Sequence, residues 1–571
     1  MEVFLGIPAA DGVGVGTAFV IPEAVKRAIP QKRIRKEDTT EGWERFQSSI
    51  QTVTAQIARQ LENLPKNIKA NDTQREIFET YVLMLGDPVF LAELKDEYEK
   101  TLNTIEYTID TKAEEYASRL RNAGNEYLAE RAQDITDVFG RVLDDMMDIH
   151  PFDINRVPDG AVIVAATLSP TDTIILSKRK ISGLALTEGG VASHVVILAR
   201  NYGIPTVVGL TNITKLIHTG DKVIVDGKTA EILSDPDSDT LVEYEEKIAA
   251  AKRHEEALKA YFDKPAQTKD GTLFELYANI GTPEEADRAK AEGADGIGLF
   301  RTEFLYMSTA GDTSSSAARS FDEDTQFEAY KRVLETMEGK PVTIRTLDAG
   351  GDKLINSVDI PAIAEKNPLM GLRAVRLSLA YPQILKTQLR ALYRASVFGD
   401  LRIMLPLITS VEQVDQCNAV AQSVREELAA ENIPFHRDVP IGIMVETAAA
   451  AVTSDCLARD SAFFSLGTND LTQYTLGVDR ENSAVSDLYD EFNLAVLRLI
   501  ATTLDSAKKV GIPCSVCGEM AGRSDSVLVL AGMGVRSLSM SPKLIPGVKE
   551  LLSRFTIDEL QSISAKHLNN L

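Results

Sequence analysis

Six histidines occur in 571 residues, and His194 follows two glycines and a serine in GGVASHVVILAR, residues 189–200. Gly189 and Gly190 read as a tight turn, Ser193 as a helix N-cap and VVILAR as the first turns of a buried helix. His194 is therefore expected at a helix N-terminus, where unsatisfied N–H groups and the positive end of the dipole attract anions and disfavour imidazolium. A neutral imidazole beside an anion pocket is a nucleophile suited to phosphate. The same residues could instead form a plain hydrogen-bonded helix cap, so the rest of the chain must decide.

A second set of chemistry-bearing residues lies in the C-terminal half. After Asp270 a strand-then-helix pattern repeats eight times. The strands read LFELYANI, GIGLF, PVTIRTLD, LRIMLPLI, PIGIMVET, FFSLGTND, PCSVCGEM and SLSM. Eight such units predict a (β/α)8 barrel, whose strand C-termini face the active site. Those ends carry Arg301, Arg345 with Asp348, Glu446, Asn469 with Asp470, and Cys517 with Glu519, while Lys353, Arg373 and Arg480 follow in the loops. Arginines converging on one face repel unless anions lie between them, and their planar forks match phosphate and carboxylate. Glu446 and Asp470, at the ends of adjacent strands, offer two hard oxygen ligands suited to Mg²⁺. Cys514 and Cys517 make a C-x-x-C spacing, but no second pair or nearby histidine supports a zinc or redox site. Strand alternation points the two thiols to opposite faces, with Cys517 at the strand end, where it could exchange a proton.

The elements that position these groups follow from composition and periodicity. A chain of this length needs two to four domains. Residues 1–21 and 149–234 alternate as strands and are expected to form one small α/β domain, its first strand preceding an insertion. Residues 22–148 show helical spacing throughout and predict an α-helical domain. Residues 235–263 read as a charged linker helix, and 264–571 as the barrel. The net charge of −23 argues against nucleic acid and anionic membrane as partners. No apolar run is long enough to span a membrane, the start lacks signal-peptide character, and four cysteines give no disulfide framework, so a cytoplasmic location is expected.

GLFRTEFLYM (298–307), RTLDAGGDK (345–353), NPLMGLRAVR (367–376), GIMVETAAAA (442–451), SLGTNDLTQYTLGVDREN (465–482) and CGEMAG (517–522) closely resemble the phosphoenolpyruvate-binding barrel of the Enzyme I family of the sugar phosphotransferase system. GGVASHVVILARNYGIPTVVG resembles that family's phosphohistidine segment, and NEYLAERAQDITDV its helical domain. The resemblance implies a swivelling phosphohistidine α/β domain with an inserted helical domain that binds the carrier protein HPr, followed by a linker helix and a TIM-type barrel that dimerises. It implies that His194 takes the phosphoryl group of phosphoenolpyruvate on Nε2 and passes it to a histidine of HPr, releasing pyruvate as the first step of sugar uptake. Arg301, Arg345, Arg480, Asn469 and Asp470 match substrate-binding positions, with Arg373 and Lys353 as further basic ones. Glu446 and Asp470 match Mg²⁺ ligands, Cys517 the proton donor to the enolate, and Thr173, in SPTDT, a histidine-positioning threonine. Ala448 replaces a common proline, and SPTDT varies the usual TPSET. Phosphoenolpyruvate enzymes that also use ATP need an ATP-grasp domain, for which these residues leave no span. A regulatory relative that only binds phosphoenolpyruvate has no need of His194, both acidic ligands and Cys517 together.

Overall fold

The computed structural model describes residues 1–21, 29–62, 80–121, 126–147, 157–168, 176, 179–188, 195–196, 199–200, 203–303, 305, 322–350, 365, 367–480, 482 and 485–569. The chain divides into two compact units, residues 1–253 and 254–571.

The first unit holds an eight-stranded sheet: β1 (Glu2–Leu5), β2 (Ile7–Ala10), β3 (Val13–Val20), β4 (Ala161–Ala165), β5 (Gly183–Leu186), β6 (Thr206–Val208), β7 (Lys222–Asp226) and β8 (Glu231–Ser234), in the order β1-β8-β7-β3-β4-β5-β6-β2. The glycine-rich start thus forms three strands, where the sequence pattern suggested one before the insertion. β1 and β2 pair at opposite edges of the sheet although only Gly6 separates them. Two consecutive strands can do this only if the sheet curls until its edges meet. β3 and β4, adjacent in parallel, bracket everything between residues 20 and 161. Apolar side chains cover both sheet faces, Ile163, Leu184 and Val208 on one and Val162, Val207 and Val225 on the other.

Helices Thr39–Glu62, Pro88–Thr101, Ile105–Arg121 and Glu126–Met146 form the inserted segment around its own core of Phe46, Ile57, Tyr81, Phe90, Leu94 and Phe139. Phe90 stacks on Phe139 with ring centroids 4.4 Å apart. Asp87 starts its helix by accepting the Val89 and Phe90 amides, with Pro88 at the first helical position. The expected linker is a helix over Ser238–Leu258, begun by Asp237 accepting the Thr240 amide. It is less solvated than its charge suggests, because Tyr244 packs with Ile224 and Leu233 of the sheet. The division between the two units falls inside this helix.

In the second unit a two-residue strand β9 (Ala266–Gln267) precedes β10 (Leu273–Ile280), β11 (Ile297–Arg301), β12 (Val342–Arg345), β13 (Leu401–Leu405), β14 (Ile441–Val445), β15 (Phe464–Leu466), β16 (Cys514–Val516) and β17 (Ser537–Met540). β10 to β17 run parallel in sequence order, and β10 pairs with both β11 and β17, closing the barrel. All eight expected strands are present. Strand residues facing the surrounding helices, such as Leu276, Ile344, Ile403, Ile443, Phe464 and Val516, merge with those helices into one large apolar cluster.

A guanidinium and carboxylate cup at the barrel mouth

Arg301 ends β11 and Arg345 ends β12, and strand register makes them direct neighbours. Arg345 is buried, and its charge is compensated on two sides: Nη1 lies 2.8 Å from Asp348 and Nη2 3.2 Å from Glu303. Burial alone would lower its pKa, but Glu303 and Asp348 outweigh that and raise it. Among the described residues Arg301 has no such pair, and burial, then Arg345, lower its pKa. Asp348 bridges two arginines, since its other oxygen lies 2.8 Å from Arg373 Nη2, while its own amide donates to Glu303 at 2.8 Å. Beneath them, Gln388 donates to Thr302 and Tyr330 and accepts the Leu347 amide, and Thr302 donates to the Arg345 carbonyl. This buried network locks the ends of β11 and β12.

Glu446 follows β14 and is 2% exposed. One of its oxygens accepts the Leu407 amide at 2.6 Å, a bond made by placing Leu407 in the left-handed region at φ 53°. A left-handed leucine stores strain of about 1–2 kcal/mol, as is common where backbone is held for function. Burial, then the neighbouring Asp470 and Asp348, push the Glu446 carboxyl well above its usual range. Arg480 lies 3.9 Å from Asp470. Asn469 is pinned reciprocally: its Oδ1 accepts the Glu519 amide at 2.7 Å and its Nδ2 donates to Glu519 at 3.2 Å. Close approach here requires glycine, because a Cβ at Gly518 would stand 2.0 Å from Thr468 Oγ1 and one at Gly467 would stand 2.9 Å from Glu446.

Cys517 points into the barrel with Leu299, Met404, Met444 and Phe463, whereas Cys514 packs against the outer apolar cluster. Burial, aided by Glu446, pushes the Cys517 thiol up to about 11, so it holds its proton at neutral pH. A cleft of about 580 Å³ opens beside it, lined by Asn279, Arg301, Cys517, Glu519, Arg523 and Ser541 among others.

Arg301, Arg345, Arg373, Glu446, Asn469, Asp470, Arg480 and Cys517 thus belong to one mutually interacting cluster. His194, Thr173 and Lys353 lie outside the described residues. Glu303 was not singled out in the sequence, although it stands two residues beyond Arg301 in RTE; nothing in the spacing shows that it serves Arg345. Three buried guanidinium donors, Arg345 Nε, Arg373 Nε and Arg480 Nη1, have no partner among the described residues. A buried unpaired donor is costly, and an anion with several oxygens would satisfy such donors. Glu446 and Asp470 are oxygen donors whose mutual repulsion a divalent cation would relieve. Among the described residues no set of three or more metal-ligating side chains is gathered.

This barrel is that of a phosphoenolpyruvate-utilising enzyme: residues 255–557 match the PEP-binding domain of PEP-utilising enzymes, 5–131 their N-terminal domain and 157–230 their mobile domain. Phosphoenolpyruvate-protein phosphotransferase of Bacillus sp. (strain S) is 37% identical over 98% of this chain and 94% of its own length. Those of Staphylococcus carnosus and Bacillus subtilis are each 36% identical, over 98% and 100% of this chain and 95% and 97% of theirs. The chain belongs to the phosphoenolpyruvate-protein phosphotransferase family, as the Enzyme I resemblance implied.

Proposed function

We propose that phosphoenolpyruvate bound in the cup phosphorylates His194 on Nε2, and that the phosphoryl group then passes to a histidine of HPr as the first step of sugar uptake. The observation that carries this reading is the trio of guanidinium donors, unpartnered among the described residues, around the Glu446–Asp470 pair. Arg301, Arg345 and Arg480 receive the phosphate and carboxylate, Asn469 and Asp470 orient the substrate, and Arg373 and Lys353 add positive charge. Glu446 and Asp470 would hold Mg²⁺, which when bound neutralises phosphoryl oxygens as a Lewis acid. In the first transfer the bond between phosphorus and the enol oxygen breaks as one between phosphorus and the imidazole nitrogen forms. Cys517 gives its proton to the enolate carbon, producing pyruvate. In the second transfer the phosphorus–nitrogen bond passes from His194 to the HPr imidazole.

We assign residues 1–21 and 149–234 to a phosphohistidine domain, with Thr173 positioning the histidine, and 22–148 to the HPr-binding domain. Residues 235–263 then serve as the hinge that lets the histidine visit the barrel, 264–571, and leave it. In the segment around residues 80–94, Tyr81, Leu85, Phe90 and Leu94 are core, while Leu83 and Val89 are exposed and available to HPr. The barrel carries exposed Met370, Val452 and Leu488, in keeping with a homodimer formed through it. Four free thiols suit the reducing cytoplasm, where we place the protein. No described helix is long and apolar enough to cross a membrane.

Labelled phosphoenolpyruvate with Mg²⁺, with and without HPr, tests the reading. The parent should acquire acid-labile, base-stable phosphate and hand it to HPr. His194→Ala should acquire none, and label on that variant would refute the nucleophile assignment.

A further inference from the structure

A thiol that has given up its proton must regain one before the next turnover, and Cys517 is 2% exposed. Among the described residues two polar groups of the neighbouring strand stand beside its sulfur. One is the Leu466 carbonyl at 3.6 Å, which accepts only. The other is the hydroxyl of Ser465, whose presence favours the thiolate. Ser465 is buried as well, and Ser515 Oγ donates to Ser465 Oγ across 3.2 Å. Ser515 is partly exposed.

The strand pattern places these groups on one side. Phe463 and Cys517 belong to the inward cluster, while Phe464 and Val516 belong to the outward one. Alternation then turns Ser465 and Ser515 inward, and they are direct partners in the β15–β16 register. Barrel interiors are ordinarily filled by branched apolar side chains. Here two hydroxyls run from the catalytic thiol down into the strands, away from the substrate mouth.

We infer that Ser515 and Ser465 form a proton relay that recharges Cys517 through the barrel interior after each turnover. The inference rests on the reading of Cys517 as the proton donor. Water gives a proton to Ser515 Oγ, Ser515 passes its own to Ser465 Oγ, and Ser465 passes its own to the thiolate. Three O–H bonds break, two O–H bonds and one S–H bond form, and hydroxide leaves to the buffer. Both serines end as they began. Ser465 and Ser515 never touch substrate and act only through the thiol.

Rapid-quench kinetics on the full-length protein with phosphoenolpyruvate, Mg²⁺ and HPr separates the first turnover, which uses the proton already on the thiol, from the steady state. Ser465→Ala should lower the ratio of steady-state to first-turnover rate at least about tenfold, less than the roughly 10²–10⁴-fold of a direct general acid, and raise the solvent deuterium isotope effect on the steady state. Ser465→Thr, which keeps the hydroxyl, should restore the ratio, and Ser515→Ala should lower it. An unchanged ratio in Ser465→Ala, or an equal slowing of both phases, overturns the relay. Cys517→Ala separates the two ideas: it should slow the first turnover itself, and if it does not, the donor reading fails rather than the relay alone.

Discussion

In the curled sheet of the first unit, β4 is buried at every position and apolar side chains cover both faces, whereas in the barrel the strand ends carry Arg345, Glu446 and Cys517 inward. Both regions bury charge, but they finish the task differently. Asp226, at the end of β7, accepts the Lys228 and Thr229 amides and closes its own turn. Lys112, in the helical segment, sits among Glu93, Glu97 and Glu115. At the barrel mouth the account stays open, with three guanidinium donors unpartnered among the described residues and one carboxyl pushed up by burial and its neighbours. Self-satisfied buried charge is architecture, and unsatisfied buried charge marks where a ligand completes the structure.

The comparison is broken most directly at Arg345. Arg345→Met leaves Glu303 and Asp348 without their central cation. It should lower kcat/KM by at least about 10³-fold and destabilise the barrel by about 3–5 kcal/mol. Steady-state assays and denaturant unfolding measure the two effects, and activity within tenfold of the parent would show the cup to be ordinary ion pairing. The cysteines follow. Cys517→Ala should slow turnover by about 10²–10⁴, while Cys514→Ala, on the outer face, should stay within about twofold; equal effects would count against the inward thiol's role.

On the sheet side, Ile163→Ala in β4 should cost about 2–5 kcal/mol in the first unit. Phosphoenolpyruvate binding to the barrel, followed by calorimetry, should be unchanged, and weakened binding would mean that the cup depends on the sheet. The smallest effect concerns Glu446. Burial, then Asp470 and Asp348, raise its folded-state pKa, so the folded protein holds this proton more tightly than the unfolded chain. The stability it contributes is present below the ordinary carboxylate range and is lost as pH rises through the raised value. Metal-free Glu446→Gln should match the parent near about pH 4 and then become the more stable, by about 1.4 kcal/mol per pH unit between the two pKa values. Parallel stability curves in chelator would contradict this electrostatic account.

The barrel was legible because each strand is a short apolar run bounded by turn residues and followed by a helical stretch, and eight repeats leave few alternatives. Its site residues were legible because parallel strands deliver their C-terminal residues to one face. The start of the chain was harder to read. Two four-residue strands separated by Gly6 look like one, and only their pairing with β8 and β6 parts them. β8, after the turn at residues 227–230, has no legible signal because EILS is too short to show a period. The roles of Glu303 beside Arg345, of left-handed Leu407 beneath Glu446 and of Ser465 against Cys517 were invisible, since each depends on a neighbour 39 or more residues away.

Taken alone, the sequence determined the strand and helix order, the barrel, the arginines, carboxylates and thiol at its mouth, and the family to which they point. These are local properties, set by periodicity, turn chemistry and residue type. Tertiary structure alone decided which charges are satisfied, which wait for a ligand, and what stands behind the inward thiol. Pairing, burial and desolvation are relations between distant segments, and they exist only once the barrel has closed.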